Sequence, residues 1–136
     1  MDGILTVFGN AFEDQDTYGA RRPGAAYLRD LLGGRDFIAL AAVAEGQVVG
    51  GLAAYELRKF EQERSEVYIY DLAVEEAFRR RGIASALIKE LGVLAADRGA
   101  WVMFVQADHG DEPAIALYTK LGRREEVLHF DIDVAQ

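Results

Sequence analysis

The chain opens on apolar positions at helical spacing and changes, toward its middle, to runs in which apolar residues are continuous or alternate. Leu5, Phe8 and Phe12 recur near the 3.6-residue period and Glu13-Asp14-Gln15-Asp16 ends that face, so a short helix is expected over residues 5–12. Turn and breaker signals follow at Asp16-Thr17-Tyr18-Gly19 and Arg22-Pro23-Gly24. Residues 25–32 then read as a second helix stopped by Gly33-Gly34, and the two helices with their polar loop form a lid-like pair. From Phe37 the pattern becomes that of a sheet. Residues 37–43 are almost continuously apolar, Glu45-Gly46 is a turn, and residues 48–57 form a second strand-like run, which together predict a hairpin. A polar connection at residues 58–65, with Glu61 and Glu63 as solvated positions, leads to a third strand at residues 66–74.

Helical periodicity returns at Ile83, Ala84, Leu87, Ile88, Leu91, Leu94 and Ala95, which predicts a helix over residues 82–97 closed by Arg98-Gly99. Residues 101–106 are a buried strand, and reaching it from the third strand through a helix implies a right-handed parallel crossover. Asp108 to Pro113 form a polar loop with an acidic cap and a helix-opening proline; residues 114–121 are the next helix, capped by Gly122. Beyond it Leu128, Phe130, Ile132 and Val134 alternate with His129, Asp131 and Asp133, so one or two closing strands are expected over residues 123–134. No repeat, linker or second domain is visible, and 136 residues suit one domain, residues 1–136, with a single core.

Composition narrows the function. With 51% hydrophobic and 28% charged residues the chain has the make-up of a globular protein, not a disordered one. No apolar stretch has the length of a membrane span and Met1-Asp2-Gly3 leads into no signal sequence, so a cytoplasmic location is expected. The absence of cysteine excludes disulfides, thiolate metal sites and a cysteine nucleophile. A net charge of -8 argues against nucleic acid and anionic membrane as partners and is compatible with a cationic substrate, although acidity for solubility alone is common.

Against that acidic background Arg79-Arg80-Arg81 stand together just before Gly82, where a strand passes into a helix. The first N–H groups of a helix have no partner within it, and a glycine lets a ligand approach the backbone, so this junction is suited to an anion such as a phosphate-bearing cofactor. A solvated arginine cluster is the competing explanation. The surrounding pattern, Arg79-x-x-Gly82-x-Ala84 after an apolar strand, resembles the Arg/Gln-x-x-Gly-x-Gly/Ala signature of the GNAT superfamily of acyl-CoA N-acyltransferases. Asp111-x-x-Ala114-Ile115-x-Leu117-Tyr118-x-Lys120-x-Gly122 resembles the second cofactor element of that superfamily, with Asp111 where asparagine is usual. More narrowly, Phe60-Glu61-Gln62, Tyr68-Ile69-Tyr70-Asp71-Leu72-Ala73-Val74, Val105-Gln106-Ala107-Asp108 and His129-Phe130-Asp131-Ile132-Asp133 together resemble the aminoglycoside 3-N-acetyltransferase type I family of gentamicin and fortimicin acetyltransferases. The likeness runs over nearly the whole chain from about Leu5 and departs at the start, where the usual first strand is not evident.

The resemblance implies the GNAT fold: α/β, with a mixed, mostly antiparallel sheet whose central parallel pair is splayed apart and helices on both faces. It also implies acetyl transfer from acetyl-CoA to the 3-amino group of a 2-deoxystreptamine-type antibiotic, conferring resistance, with a homodimer as the expected assembly. By position, the backbone of Leu72, Ala73 and Val74 would hold the pantetheine arm and polarise the thioester carbonyl. The N–H groups from Arg79 through Arg80, Arg81, Gly82, Ile83 and Ala84 to Ser85 would cradle the pyrophosphate, while Asp111, Pro113, Ala114 and Tyr118 would line the arm near sulfur.

Direct attack of an amine on a thioester needs a deprotonated amine, a polarised carbonyl and a proton for the departing thiolate. Asp71 interrupts an apolar run, and a carboxylate there must be paired, hydrated or functional because burying it alone costs several kcal/mol. It is the candidate amine anchor and base through water, the competing view being a bulged strand that meets an arginine. Tyr118, on a helix where an aromatic is usually core, is the candidate acid to the thiolate. Asp14, Asp16 and Tyr18 in the early loop, together with Asp108, Glu112, Asp131 and Asp133, are candidate contacts to a polycation; individually each also reads as a cap or a solvated position. His109 and His129 lack metal spacing, so no metal site is expected, and Ser65 and Ser85 lie in no nucleophile context. Two alternatives stay open: an acetyltransferase of another amine, such as a polyamine or peptide terminus, and a non-catalytic acyl-CoA sensor, which would need neither Asp71 nor Tyr118.

Overall fold

The computed structural model describes residues 1–12 and 22–135, without the Phe12 side chain. These residues divide into two compact units, Met1–Gln106 and Ala107–Gln136. The first unit contains α1 (Asp2–Phe12), α2 (Ala25–Gly33), β1 (Phe37–Ala44), β2 (Gln47–Arg58), β3 (Ser65–Val74), α3 (Ile83–Asp97) and β4 (Ala100–Val105), with a short 3-10 turn at Glu76–Phe78. The second contains α4 (Glu112–Leu121).

Helix α1 begins earlier than the apolar pattern suggested because its buried stripe is Ile4, Val7 and Phe8, at i, i+3 and i+4, where the sequence had pointed to Leu5, Phe8 and Phe12. The first unit has three layers. One core joins Leu52, Ala54, Val67 and Ile69 of the sheet to Leu87, Leu91 and Ala95 of α3. A second core, on the opposite face, joins Phe37, Ala53 and Ala73 to Ile4, Val7 and Phe8 of α1. Each fully buried leucine, Leu52 or Leu91, contributes about 1.5–3 kcal/mol relative to exposure. The α1 layer lies close on β2 because Gly51 has no side chain: a Cβ there would stand 2.8 Å from Ile4 Cγ2.

The strand order is β1-β2-β3-β4, with β1, β2 and β3 antiparallel and β4 parallel to β3. The hairpin and the parallel crossover pair expected from the sequence are both present. The parallel partners stay together only as far as Ile69 opposite Val105; β3 continues to Val74 paired with β2 alone. The parallel ladder ends there because β4 itself ends at Val105.

A half-buried ion pair ties the closed end of that sheet to α3. Arg98, the C-cap of α3, donates to Glu56 Oε1 at 2.9 Å and to the Arg35 carbonyl at 2.6 Å. Burial pushes the Glu56 carboxyl up, but the nearby Ser65 hydroxyl, the hydrogen bond from Arg98 and the charges of Arg98 and Arg35 outweigh it, so its pKa lies below the ordinary value.

In the second unit Asp111 caps α4 by accepting from the Ala114 N–H at 3.3 Å, and Pro113 occupies the first turn, as the sequence suggests. The closing strands expected over residues 123–134 are not formed, and residues 123–135 carry neither helix nor strand. Alternation supplies one apolar face, but a strand also needs a neighbour for its N–H and C=O groups, and Leu128, Phe130, Ile132 and Val134 are 83%, 76%, 87% and 88% exposed. The parallel pair therefore stands at the edge of a four-stranded sheet, with β4 outermost, where closing strands would have made it central.

Candidate active site

The site begins with one inserted residue. In the β2–β3 ladder Ala54 lies opposite Ile69 and Ala53 opposite Asp71, so Tyr70 has no residue across from it and forms a bulge. Without this insertion, Val67, Ile69, Asp71 and Ala73 would share a face. With it, Val67 and Ile69 belong to the α3 core while Ala73 joins the α1 core, and Asp71 shares the face of its partner Ala53. Asp71 is thus turned out of the α3 core and is half-buried on the α1 side. The bulge is how a carboxylate fits into an otherwise apolar strand without entering the α3 core.

Aromatic rings surround that position. Tyr55 and Tyr70 meet edge to face at 5.7 Å, Tyr70 and Tyr68 at 5.8 Å, and Tyr68 stacks on Phe104 at 4.7 Å. The Tyr68 hydroxyl donates to Gln106 Oε1 at 2.8 Å. Burial raises the pKa of Tyr55 and of Tyr68, and the neighbouring Tyr70 and Asp71 act in the same direction, so both phenols stay protonated at neutral pH. The sequence reading treated these tyrosines only as part of a motif; the signal it passed over was Tyr68-x-Tyr70 followed at once by an acid.

Beyond the bulge lies the parted edge. Leu72 is half-buried against the α3 core, Ala73 and Val74 are buried, and the backbone of this segment is paired on the β2 side only. Arg79 Nε donates to the Val74 carbonyl at 2.9 Å, so this arginine fastens the following loop to the end of the strand. Arg81 lies over the Phe78 ring at 5.0 Å, and Arg80 is exposed with φ at 65°. Gly82, the N-cap of α3, has φ at 78°, a left-handed conformation that favours glycine, and nothing lies within 4 Å of the place its Cβ would take. The first intrahelical bond, Ala86 N–H to the Gly82 carbonyl, leaves the N–H groups of Ile83, Ala84 and Ser85 without helical acceptors. Ile83 packs toward Gly50, which is opposite Val74 in the ladder, and so holds the helix start beside the strand end. Leu72, Ala73, Val74 and residues 79–85 are therefore brought together in one neighbourhood: a strand edge beyond the end of β4 leading to a helix N-terminus with open space before it. An extended arm ending in a diphosphate fits such a pair of surfaces.

The remaining predicted residues are placed less uniformly. Asp14, Asp16 and Tyr18 lie outside the described residues. In the second unit Tyr118 is half-buried on α4, and Ala114 is half-buried. Asp111 is occupied as the helix cap, Glu112 and Pro113 are exposed in the first turn, and the Asp108 carbonyl accepts from the Asp111 N–H. Asp131 pairs with His129 Nε2 at 2.9 Å and Asp133 is exposed. Among the described residues no group of three His, Cys, Asp or Glu side chains could hold a metal ion, and no helix is long and apolar enough to cross a membrane.

The model of the GNAT acetyltransferase family matches residues 6–122. The chain belongs to the GNAT acetyltransferase family. Enzymes of this family take their acetyl group from acetyl-CoA. The chain is similar to the crystal structure of aminoglycoside acetyltransferase HMB0005 from an uncultured soil metagenomic sample, with 65% identity, a TM-score of 0.97, and coverage of 99% of this chain and 90% of that one. It is also similar to aminoglycoside acetyltransferase meta-AAC0020, from an uncultured soil metagenomic sample and in complex with sisomicin, at 30% identity and a TM-score of 0.89, covering 98% of this chain and 87% of that one. A curated relative, N-acetyltransferase family 8 member 2 of Rattus norvegicus, is 28% identical over 95 residues, 70% of this chain. The chain spans 42% of the length of that relative.

Proposed function

We propose that this chain transfers the acetyl group of acetyl-CoA directly to the 3-amino group of a 2-deoxystreptamine-type aminoglycoside of the gentamicin kind, by a sequential mechanism, and so confers resistance. The observation that carries this reading is Asp71, turned by the Tyr70 bulge onto a tyrosine-lined surface beside the parted edge of β3. A carboxylate set among aromatic faces suits an ammonium-bearing acceptor. The two aminoglycoside acetyltransferases most fully covered above support the substrate class.

Acetyl-CoA supplies an activated thioester. Main-chain groups of Leu72, Ala73 and Val74 hold its arm, and N–H groups of residues 79–85 receive the diphosphate. Asp71 anchors the ammonium and, through water, takes its proton. The freed amine attacks the carbonyl carbon; a C–N bond forms and the nitrogen gives up its second proton to water, the C–S bond breaks, and the thiolate receives its proton from Tyr118, which is reprotonated from solvent. Asp14, Asp16, Tyr18, Asp108, Glu112, Asp131 and Asp133 are proposed to collect further ammonium groups of the antibiotic. Asp111, Pro113 and Ala114 are proposed to line the arm of the donor. A cytoplasmic homodimer is the proposed form of the enzyme.

The test is mass spectrometry of a mixed panel of gentamicin, sisomicin, spermidine and an amino-terminal peptide incubated with the protein and acetyl-CoA, followed by fragmentation to locate the acetyl group. A single 42-dalton gain on the 3-amino group of the aminoglycosides is expected, in line with replacement of one amine hydrogen by acetyl, about one acetyl per molecule. Modification of spermidine or the peptide alone would overturn the substrate. Tyr118→Phe is expected to slow turnover and leave acetyl-CoA affinity unchanged in calorimetry.

A further inference from the structure

The aromatic residues near Asp71 belong to a larger array. Phe37 on β1, Tyr55 on β2, Tyr68 on β3 and Phe104 on β4 are successive register partners, so one row of rings crosses every strand of the sheet. Phe37 and Tyr55 stand 5.3 Å apart and Tyr68 and Phe104 stack at 4.7 Å. Tyr70, the residue added by the bulge, sets its ring edge-on to both Tyr55 and Tyr68 and remains 60% exposed. An added residue could point anywhere; here it extends the row outward on the side where Asp71 stands.

The row is not simply core. Phe37 is buried beneath α1, Tyr55, Tyr68 and Phe104 are half-buried, and Tyr70 is exposed, so cover falls away from β1 toward the bulge. A large exposed aromatic held rigidly by two ring contacts loses little conformational freedom when a flat ligand settles on it. The faces of tyrosine rings carry negative potential and attract cations, most strongly where water is partly excluded.

We propose that Tyr70, supported by Tyr55 and Tyr68, is the shelf on which an amino-sugar ring of the acceptor lies, its apolar face on the phenol and its ammonium directed to Asp71. This proposal deepens the functional reading above and rests on it. It makes Tyr70 a specificity-determining residue: it selects ring-shaped cationic acceptors over linear polyamines, which have no flat apolar face to cover the phenol.

The experiment is calorimetric titration of sisomicin, and separately of acetyl-CoA, into the wild-type protein and into Tyr70→Ala, Tyr70→Leu and Tyr70→Phe. Sisomicin affinity is expected to fall about tenfold in Tyr70→Ala and in Tyr70→Leu, the size of one lost aromatic packing contact, and to stay within about twofold in Tyr70→Phe. Acetyl-CoA affinity and the thermal midpoint are expected to remain those of the wild type. Tyr70→Leu keeps apolar bulk at the bulge and reports on the ring should the alanine variant be unstable. Wild-type affinity in both Tyr70→Ala and Tyr70→Leu would overturn the shelf, as would an equal loss in Tyr70→Phe, which would assign the effect to the hydroxyl. Failure of the wild-type protein to bind sisomicin would also overturn it. Binding of sisomicin without its acetylation would overturn the proposed function and leave the shelf standing if the three variants behave as described.

Discussion

The two halves of β3 are built on different terms. Residues 65–69 are paired with β2 on one side and β4 on the other, and their alternate side chains, Ser65, Val67 and Ile69, are buried. Residues 70–74 follow without a break in the strand, yet they have lost β4 as a neighbour and have shifted their facing by one residue at Tyr70. The first half is specified by packing; the second presents a carboxylate, a phenol and a backbone edge beyond the reach of β4. The contrast shows how a sheet can stay stable while holding a reactive surface open: the closed half carries the core, and the bulge separates the two demands within a few residues.

Substitutions in the two halves test this division directly. Asp71→Asn keeps the shape of the open half but removes its charge and basicity, so kcat for the aminoglycoside is expected to fall about 10²–10⁴-fold with the denaturation midpoint little changed. Steady-state kinetics alongside urea unfolding measures both, and a wild-type rate would remove Asp71 from the chemistry. Ile69→Ala, two residues earlier, is expected to do the reverse: a loss of about 2–5 kcal/mol in stability from a truncated core side chain. Its KM for acetyl-CoA in the remaining folded protein should be near that of the wild type.

A weaker effect sharpens the picture of the closed half. Glu56 stands opposite Val67 and is held by Arg98. Because its folded pKa lies below the ordinary value of 4.5, the stability it contributes is fully present above that pH and is lost as pH falls through the folded value. The stability difference between the wild-type protein and Glu56→Gln, measured by urea unfolding at several pH values, should therefore be largest near neutrality and shrink below pH 4.5. A difference that stays constant with pH would mean that the charge of Glu56 does not matter. The smallest effect is expected outside β3, at the α4 cap: Asp111→Ala should cost about 0.5–2 kcal/mol of local stability, seen as faster amide exchange in the first turn of α4.

Much of this was legible beforehand for identifiable reasons. The helix over Ile83–Asp97 announces itself by period and by Gly82 and Arg98 at its ends. The hairpin follows from two β-like runs around Glu45-Gly46, and Asp111 and Pro113 mark the start of α4. These are local signals, each set by a few neighbouring residues. The stretch from Arg123 was misread because alternation at Leu128, Phe130, Ile132 and Val134 states which face a strand would bury but not whether a second strand exists to pair with it.

The sequence by itself determined the element types as far as α4, the apolar stripe of α3, the acidic character of the chain and the glycine at the start of α3, because backbone conformation, helical period and charge are properties of short segments. Only the tertiary structure decided which face Asp71 occupies, that Tyr70 is the extra residue of the ladder, and that Phe37, Tyr55, Tyr68 and Phe104 stand in one row. Those facts depend on strand register, and register is a relation between segments distant in sequence: a shift of one residue moves every following side chain to the other face of the sheet.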